Sequence, residues 1–530
     1  MWGRGDRSLR AVCFTRSKRA RLIAGFKDDL VRIARQPEKS AARRHDLVVI
    51  GGGIYGVALA LEAGRHGYRA LLLERDDFGG GTSWSSLRIV HGGLRYLQTL
   101  DLRRFRESVA ERRWFLRHFP DLVRPLPCLM PLYEQGLKRP SLMRLALACN
   151  DLLSMDRNWG LEGGAKLGRG GVLSARETAR IFPQVDRRGL AGGALWCDAV
   201  MLSSERVLIE LLGWACRCGA TALNYVEAER AIVDGDGIAG LEARDRVTGR
   251  AYQFQASRVI NATGSWSRLV ARRMDRDIAP LFRPTLAFNL LINRPPIAEV
   301  AVAIHSRHAD ARVLFILPWK GRLLAGTCHC GLPETASQPA VTEEQVSWFL
   351  GELNAAVPCL NLVPEDVVHI YAGLLPGRRP GKADLATRAV IYDHGAHGGP
   401  QGLYSISGVK FTTARRVAED TLRTVFRRKL RAAVNQSERP TPLLDVSDQT
   451  LLSTTTPFDG ERSAVEALMR RIAQEEAALH LEDLLLRRLD SATVLANWTK
   501  ATEVVCHALP FARSDADLNT FGVFNPSSPS

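Results

Sequence analysis

Gly51, Gly53 and Gly56 stand at GxGxxG spacing within DLVVIGGGIYGVALALEAGRHGYRALLLE, residues 46–74, and Glu74 ends that run. This pattern suits the binding of a dinucleotide. Gly51 permits a tight turn, Gly53 lets a pyrophosphate approach the backbone, and Gly56 lets the next helix pack closely on the strand. The first helical turn, with Ile54 and Tyr55, faces the diphosphate with unpaired N–H groups and a partial positive charge. Glu74 lies about 20 residues on, where an acid accepts hydrogen bonds from an adenosine ribose. The spacing alone does not choose between FAD and NAD.

The elements that must hold these residues are legible around them. The apolar run 47–50 fits a buried parallel strand, followed by a helical pattern through Ala58, Leu59 and Leu61 and a second strand at 70–73. Two later stretches repeat the passage from strand through glycine turn to helix. One is 258–261 leading into Ala262-Thr263-Gly264-Ser265-Trp266; the other is 402–407 leading through 408–413 into a helix ending near 428. The first of these again points to the nucleotide domain. Along the rest of the chain the sequence predicts helices at 102–119, 174–181 (Ser174 and Glu177 at capping-box spacing), 205–218 and 342–357 (Thr342 and Gln345 at capping-box spacing), a strand at 220–227 and a β-meander over 231–254. Strand patterns at 285–292, 302–305, 313–317 and 322–327 predict an antiparallel sheet in a substrate-covering part. Residues 125–160 read as proline-bounded apolar pieces, helical around 141–153.

A chain of 530 residues carries two or three domains with sizeable cores. No apolar stretch reaches the 18 or so residues of a membrane span. The net charge is +16, and residues 1–44 hold thirteen Lys/Arg against four acids. The remainder is modestly basic, which argues against a nucleic-acid partner. A basic extension suits anionic lipid or simple solvation. Leu22, Phe26, Leu30 and Ile33 recur at helical spacing, which would suit an amphipathic helix lying on a membrane; a loosely docked extension is the alternative. The ten cysteines are scattered, with CxC pairs at Cys216/Cys218 and Cys328/Cys330. They lack zinc-ligand spacing and read as reduced thiols, so no metal is expected. Expected boundaries are a basic extension 1–44, a discontinuous main unit 45–435, a C-terminal helical region 458–510 after a Pro/Ser/Thr-rich linker, and a tail 511–530.

Four segments together resemble the FAD-dependent glycerol-3-phosphate dehydrogenase family of the respiratory, quinone-linked kind. They are VVIGGGIYGVALA (48–60), TSWSSLRIVHGGLRYL (82–97), NATGSW (261–266) and SGVKFTTAR (407–415). EEAALHLEDLLLRRL (475–489) is a weaker match to that family's C-terminal helical domain. The HGGLRYL segment moves the choice of cofactor to FAD. The resemblance implies an α/β fold: a glutathione-reductase-like, Rossmann-type FAD-binding domain with an antiparallel-sheet substrate cap, mainly about 95–190 and 281–366, and a C-terminal helical piece. It places Thr82, Ser83 and Ser86 along the flavin or its pyrophosphate, Val226 in the strand meeting the adenine, and Thr263 and Gly264 near the FAD backbone. Gly408, Lys410, Phe411 and Thr412 fall beside the flavin ring and ribityl chain. Arg95, Tyr96 and Lys410 line the substrate site, with Arg95 a phosphate anchor, Lys410 a stabiliser of charge on the reduced ring, and His91 a candidate base or a structural histidine of the flavin loop.

The sequence also departs from the family. Leu375, in GLLP, stands where an arginine usually contacts substrate, with Arg378 and Arg379 close by as replacements. His329 replaces an aspartate, and Trp84 and Leu87 alter the segment after Thr82. Three readings stay open: oxidation of sn-glycerol 3-phosphate with electrons passing to quinone, a paralogue acting on another hydroxy or amino compound, and a flavin-binding module without turnover. The resemblance places the protein in the cytoplasm, on the inner-membrane face as a peripheral protein, and leaves a homodimer open.

Overall fold

The computed structural model describes residues 32–133, 139–305, 313–427, 430, 433, 442–444 and 462–489. The expected basic helix lies outside these residues except for its last two positions, and the tail 511–530 lies outside them altogether. Among the described residues no helix is long and apolar enough to cross a membrane.

The first glycine run sits at the centre of a six-stranded sheet. Its order is Val390–Asp393, Leu403–Ser407, Val259–Asn261, Leu47–Ile50, Ala70–Leu73 and Thr221–Leu223. All neighbours are parallel except the Val390–Asp393 edge strand. These strands read as unbroken apolar runs because both faces are covered. Leu47, Val49 and Leu72 pack with the helices Ile54–Arg65, Ser204–Arg217 and Ala414–Val425. Val48, Ile50, Leu71 and Leu73 pack instead with Leu241 and Phe254 of a four-stranded meander. That second sheet runs Arg44–His45, Ala251–Ala256, Gly237–Asp245, Val226–Asp234.

The cap is a nine-stranded sheet, built from Ile89–Val90, Val123–Tyr133, Gly171–Leu173, Leu190–Met201, Pro284–Ile292, Ala301–His305, Val313–Trp319, Arg322–Gly331 and Val367–Pro376. It is antiparallel apart from the Val123–Tyr133 and Ala301–His305 pair. One face is covered by the helix Glu343–Ala356 through Phe349 and Leu353; Met143 and Leu147 of the helix Pro140–Leu153 cover the other. The eleven-residue strand Val123–Tyr133 is not what the sequence predicts there. Pro125, Pro127 and Pro131 argue against a strand, but their alternate positions put every missing N–H on one edge.

Residues 82–86 form the seam between the halves. Ser83 Oγ accepts from Ile54 N–H at 3.0 Å, on the nucleotide side. On the cap side Thr82 Oγ1 donates to Leu374 O at 3.0 Å and accepts from Leu374 N at 3.1 Å, while Asn289 Nδ2 donates to Ser85 O at 2.9 Å. Both capping boxes, Ser174 with Glu177 and Thr342 with Gln345, are formed.

Candidate active site

A cavity of about 1860 Å³ opens along this seam. Its walls include every residue named above for cofactor or substrate except Gly56, Arg378 and Arg379. Gly56 packs under the turn instead: a Cβ there would fall 1.8 Å from Gly51 O. Gly51 has φ +104°, and a Cβ on it would meet Ala262 O at 2.8 Å, so the turn needs glycine twice over. Gly53 is the N-cap of the helix Ile54–Arg65 and borders the open cavity, where a Cβ would approach Ser83 Oγ at 3.2 Å. Glu74 accepts from Gly52 N at 2.6 Å and Asp76 N at 2.9 Å, which ties its carboxylate to the glycine turn. Burial pushes its pKa up, against those two hydrogen bonds.

Tyr55 joins the first helix to the loop that carries Lys410. Its hydroxyl donates to Lys410 O at 2.8 Å and accepts from Lys410 N at 3.0 Å, and its ring lies against Gly408, where a Cβ would clash at 1.8 Å. The glycine turn, the helix N-terminus, the acid after the second strand and a cavity reaching past the seam fit FAD; a shorter mononucleotide would leave much of the space unused.

At the far end of the cavity three cations gather round one ring. Lys410 Nζ donates to Tyr96 Oη, and Arg95 and Arg104 lie over the Tyr96 ring at 5.5 and 5.0 Å. Arg104 is paired with Asp101 at 2.5 Å. Among the described residues no carboxylate pairs with Arg95 or Lys410. Burial, and then the charge of Arg95, pull the Lys410 pKa down to about 8. Two close, unpaired cations are a standing repulsion that an anion relieves.

His91 lines the same chamber, half-exposed, with Nδ1 3.2 Å from Asp198 Oδ2. Asp198 is buried and gathers further donors: Gly92 N at 2.7 Å, Arg112 Nη1 at 2.8 Å and Trp196 Nε1 at 3.2 Å. Burial alone would raise its pKa; the bonds and charges of His91 and Arg112 and the Gly92 N–H bring it to about 2. A carboxylate held ionised on Nδ1 selects the tautomer whose Nε2 accepts a proton. Sequence reading misses Asp198. Its one signal is a lone acid in the otherwise apolar strand Leu190–Met201.

Leu375 and His329 both line the cavity. Arg378 and Arg379 do not replace the missing arginine. They lie outside the cavity wall and close on Asp384, at 3.6 and 2.7 Å.

Residues 46–420 match the FAD-dependent oxidoreductase family. A glycerol-3-phosphate dehydrogenase of Synechocystis is 30% identical over 405 residues, covering 73% of this chain and 71% of that protein. An alpha-glycerophosphate oxidase of Streptococcus pyogenes is 33% identical over 346 residues, 64% of this chain; the match spans 55% of the oxidase. Among solved structures, the FAD complex of the glycerol-3-phosphate dehydrogenase from Bacillus halodurans superposes with a TM-score of 0.67 at 21% identity. It covers 90% of this chain and 92% of that one, which establishes the likeness of fold.

Proposed function

This chain belongs to the FAD-dependent oxidoreductase family, in company with glycerol-3-phosphate dehydrogenases, and on that premise we propose that it oxidises sn-glycerol 3-phosphate to dihydroxyacetone phosphate and passes the electrons to a quinone. The observation that carries the proposal is that Arg95 and Lys410, which meet no carboxylate among the described residues, stand at one end of the cavity beside the His91–Asp198 couple. FAD is the group that accepts the hydride from carbon when bound.

The chain's own residues do the rest. Arg95 offers a planar fork to a phosphate, and Lys410 a point charge at the edge of the ring site. Nε2 of His91 takes the hydroxyl proton while Asp198 holds Nδ1–H and stabilises the charge that forms. The cofactor would be held by Gly51, Gly53, Ile54, Tyr55 and Glu74 at the glycine turn. Thr82, Ser83, Ser86, Thr263 and Gly264 would line its middle, Val226 its adenine end, and Gly408, Phe411 and Thr412 its ring end.

A lipid-borne acceptor is supported by the surface at the cavity mouth. The helix Pro140–Leu153 is apolar on two sides. Met143 and Leu147 are buried in the cap, while Leu142, Leu145, Cys149 and Leu152 form a stripe facing outward. Leu142 and Leu145 join the exposed Leu100 and Leu102 around the opening, and exposed Arg139 and Arg144 flank the stripe. Such a surface suits a peripheral hold on anionic lipid.

Leu375 favours a second reading, in which the substrate is another hydroxy or amino compound. The wall there is apolar, and Arg378 and Arg379 are held away on Asp384. Anaerobic bleaching of the flavin separates the two. Glycerol 3-phosphate at millimolar concentration should bleach the protein, and Lys410→Ala should not respond. An unbleached spectrum of the unmodified protein, with bleaching by another alcohol or amine, rejects the first reading.

A further inference from the structure

The segment 475–489, EEAALHLEDLLLRRL, places charged side chains inside an apolar stretch, and the fold buries Glu476, Asp483 and Arg488. Arg488 is 1% exposed and grips Asp77 with both Nη atoms, at 2.7 and 2.8 Å. Arg487 Nε adds a third bond to Asp77 at 2.6 Å, and its Nη2 reaches Asp483 at 2.5 Å. Asn224 Nδ2 binds both Asp77 Oδ1, at 3.1 Å, and Ala477 O, at 2.7 Å. Tyr225 donates to Asp483 at 2.7 Å and meets the His480 ring edge-on at 4.6 Å. Glu476 closes on Arg206 at 2.8 and 2.9 Å.

These partners are not scattered. Asp77 lies three residues after Glu74, on the loop leaving the second strand of the nucleotide sheet, and Asn224 and Tyr225 precede Val226. Both stretches edge the end of the cavity where the adenosine half of a dinucleotide belongs. His480, Leu481, Glu482 and Arg487 themselves line that end. Burying this many charges is costly unless each is paired, and here the pairing spans about 400 positions of sequence between Asp77 and Arg488. A network of that reach fixes one loop against another far more narrowly than apolar packing does.

We propose that residues 475–489 are a clasp on the adenosine end of the FAD site, which holds the Glu74–Asp77 loop in its binding shape and completes the wall with His480 and Arg487. The clasp governs retention of FAD, not the redox step, and the inference stands whichever substrate is turned over. Hydrogen exchange on the unmodified full-length apoprotein tests it without any substitution. Adding FAD should slow exchange of the amides at 476–488 along with those at 74–78, and unaltered exchange at 476–488 would overturn the proposal. In the flavin-loaded protein, Arg487→Gln and His480→Ala should each raise the dissociation constant for FAD by about tenfold, the weight of one charge-assisted contact, read by recovery of free-flavin fluorescence on dilution. Unchanged FAD affinity in both variants would also refute the clasp.

Discussion

If Arg95 and Lys410 await an anion, binding one must change the protonation of Lys410. Burial of the ammonium and the charge of the facing Arg95 hold that pKa at about 8, against an ordinary 10.5. The charged form is therefore disfavoured by about 3 kcal/mol. A bound phosphate dianion cancels the repulsion and returns the pKa toward its ordinary value. At pH 8 binding should then draw in about half a proton, rising to near one at pH 9.5. Affinity should fall by about tenfold between pH 7 and pH 9, since above pH 8 the site must first gain its proton. The linkage to stability has the opposite slope. Between about pH 8 and 10.5 the unfolded chain keeps a proton that Lys410 in the folded protein has released, so this group's contribution to stability improves as pH rises through that window. Titration calorimetry with glycerol 2-phosphate, a dianion without the secondary alcohol to oxidise, measures the uptake when repeated in buffers of different ionisation enthalpy. Lys410→Met should abolish the uptake and weaken binding at pH 7 by about 10–100-fold. No uptake at pH 8 in the unmodified protein, or the same uptake in Lys410→Met, would show that the lysine does not face the anion.

Asp198→Asn should cut kcat by about 10²–10⁴-fold by releasing His91 from its tautomer, and leaving Arg112 buried without its carboxylate should cost roughly 3–5 kcal/mol in urea unfolding. Unimpaired turnover would remove His91 from the reaction. Leu375→Arg puts back a cation on the cavity wall and should lower KM for glycerol 3-phosphate by about tenfold; a raised KM would favour the reading with another substrate. Leu142→Glu combined with Leu145→Glu should abolish flotation with phosphatidylglycerol vesicles while anaerobic bleaching proceeds as before, because each leucine offers about 1.5–3 kcal/mol of burial to a membrane. Vesicle binding that survives both changes would locate the contact elsewhere.

The glycine turn and the parallel strands around it were legible in the sequence because they are set by neighbours, whereas the choice of FAD came from the resemblance carried by HGGLRYL. Gly51 needs its positive φ, Gly56 has no room for a Cβ, and a strand covered on both faces must be apolar throughout. Capping boxes at Ser174 and Thr342 were readable for the same reason, each being complete within four residues. The strand Val123–Tyr133 was not, since its prolines become tolerable only once it is known which edge of it is paired. The seam was beyond the sequence as well: Thr82 finds Leu374 and Tyr55 finds Lys410 across about 300 residues of chain. Asp198 beside His91 and Asp77 gripped by Arg488 belong to the same class. Local geometry and periodicity act over a few residues and leave their mark in the sequence. Which charges meet, and which stay unpaired at Tyr96, depends on how two sheets and a distant C-terminal segment close on one another, and only the tertiary structure decides that.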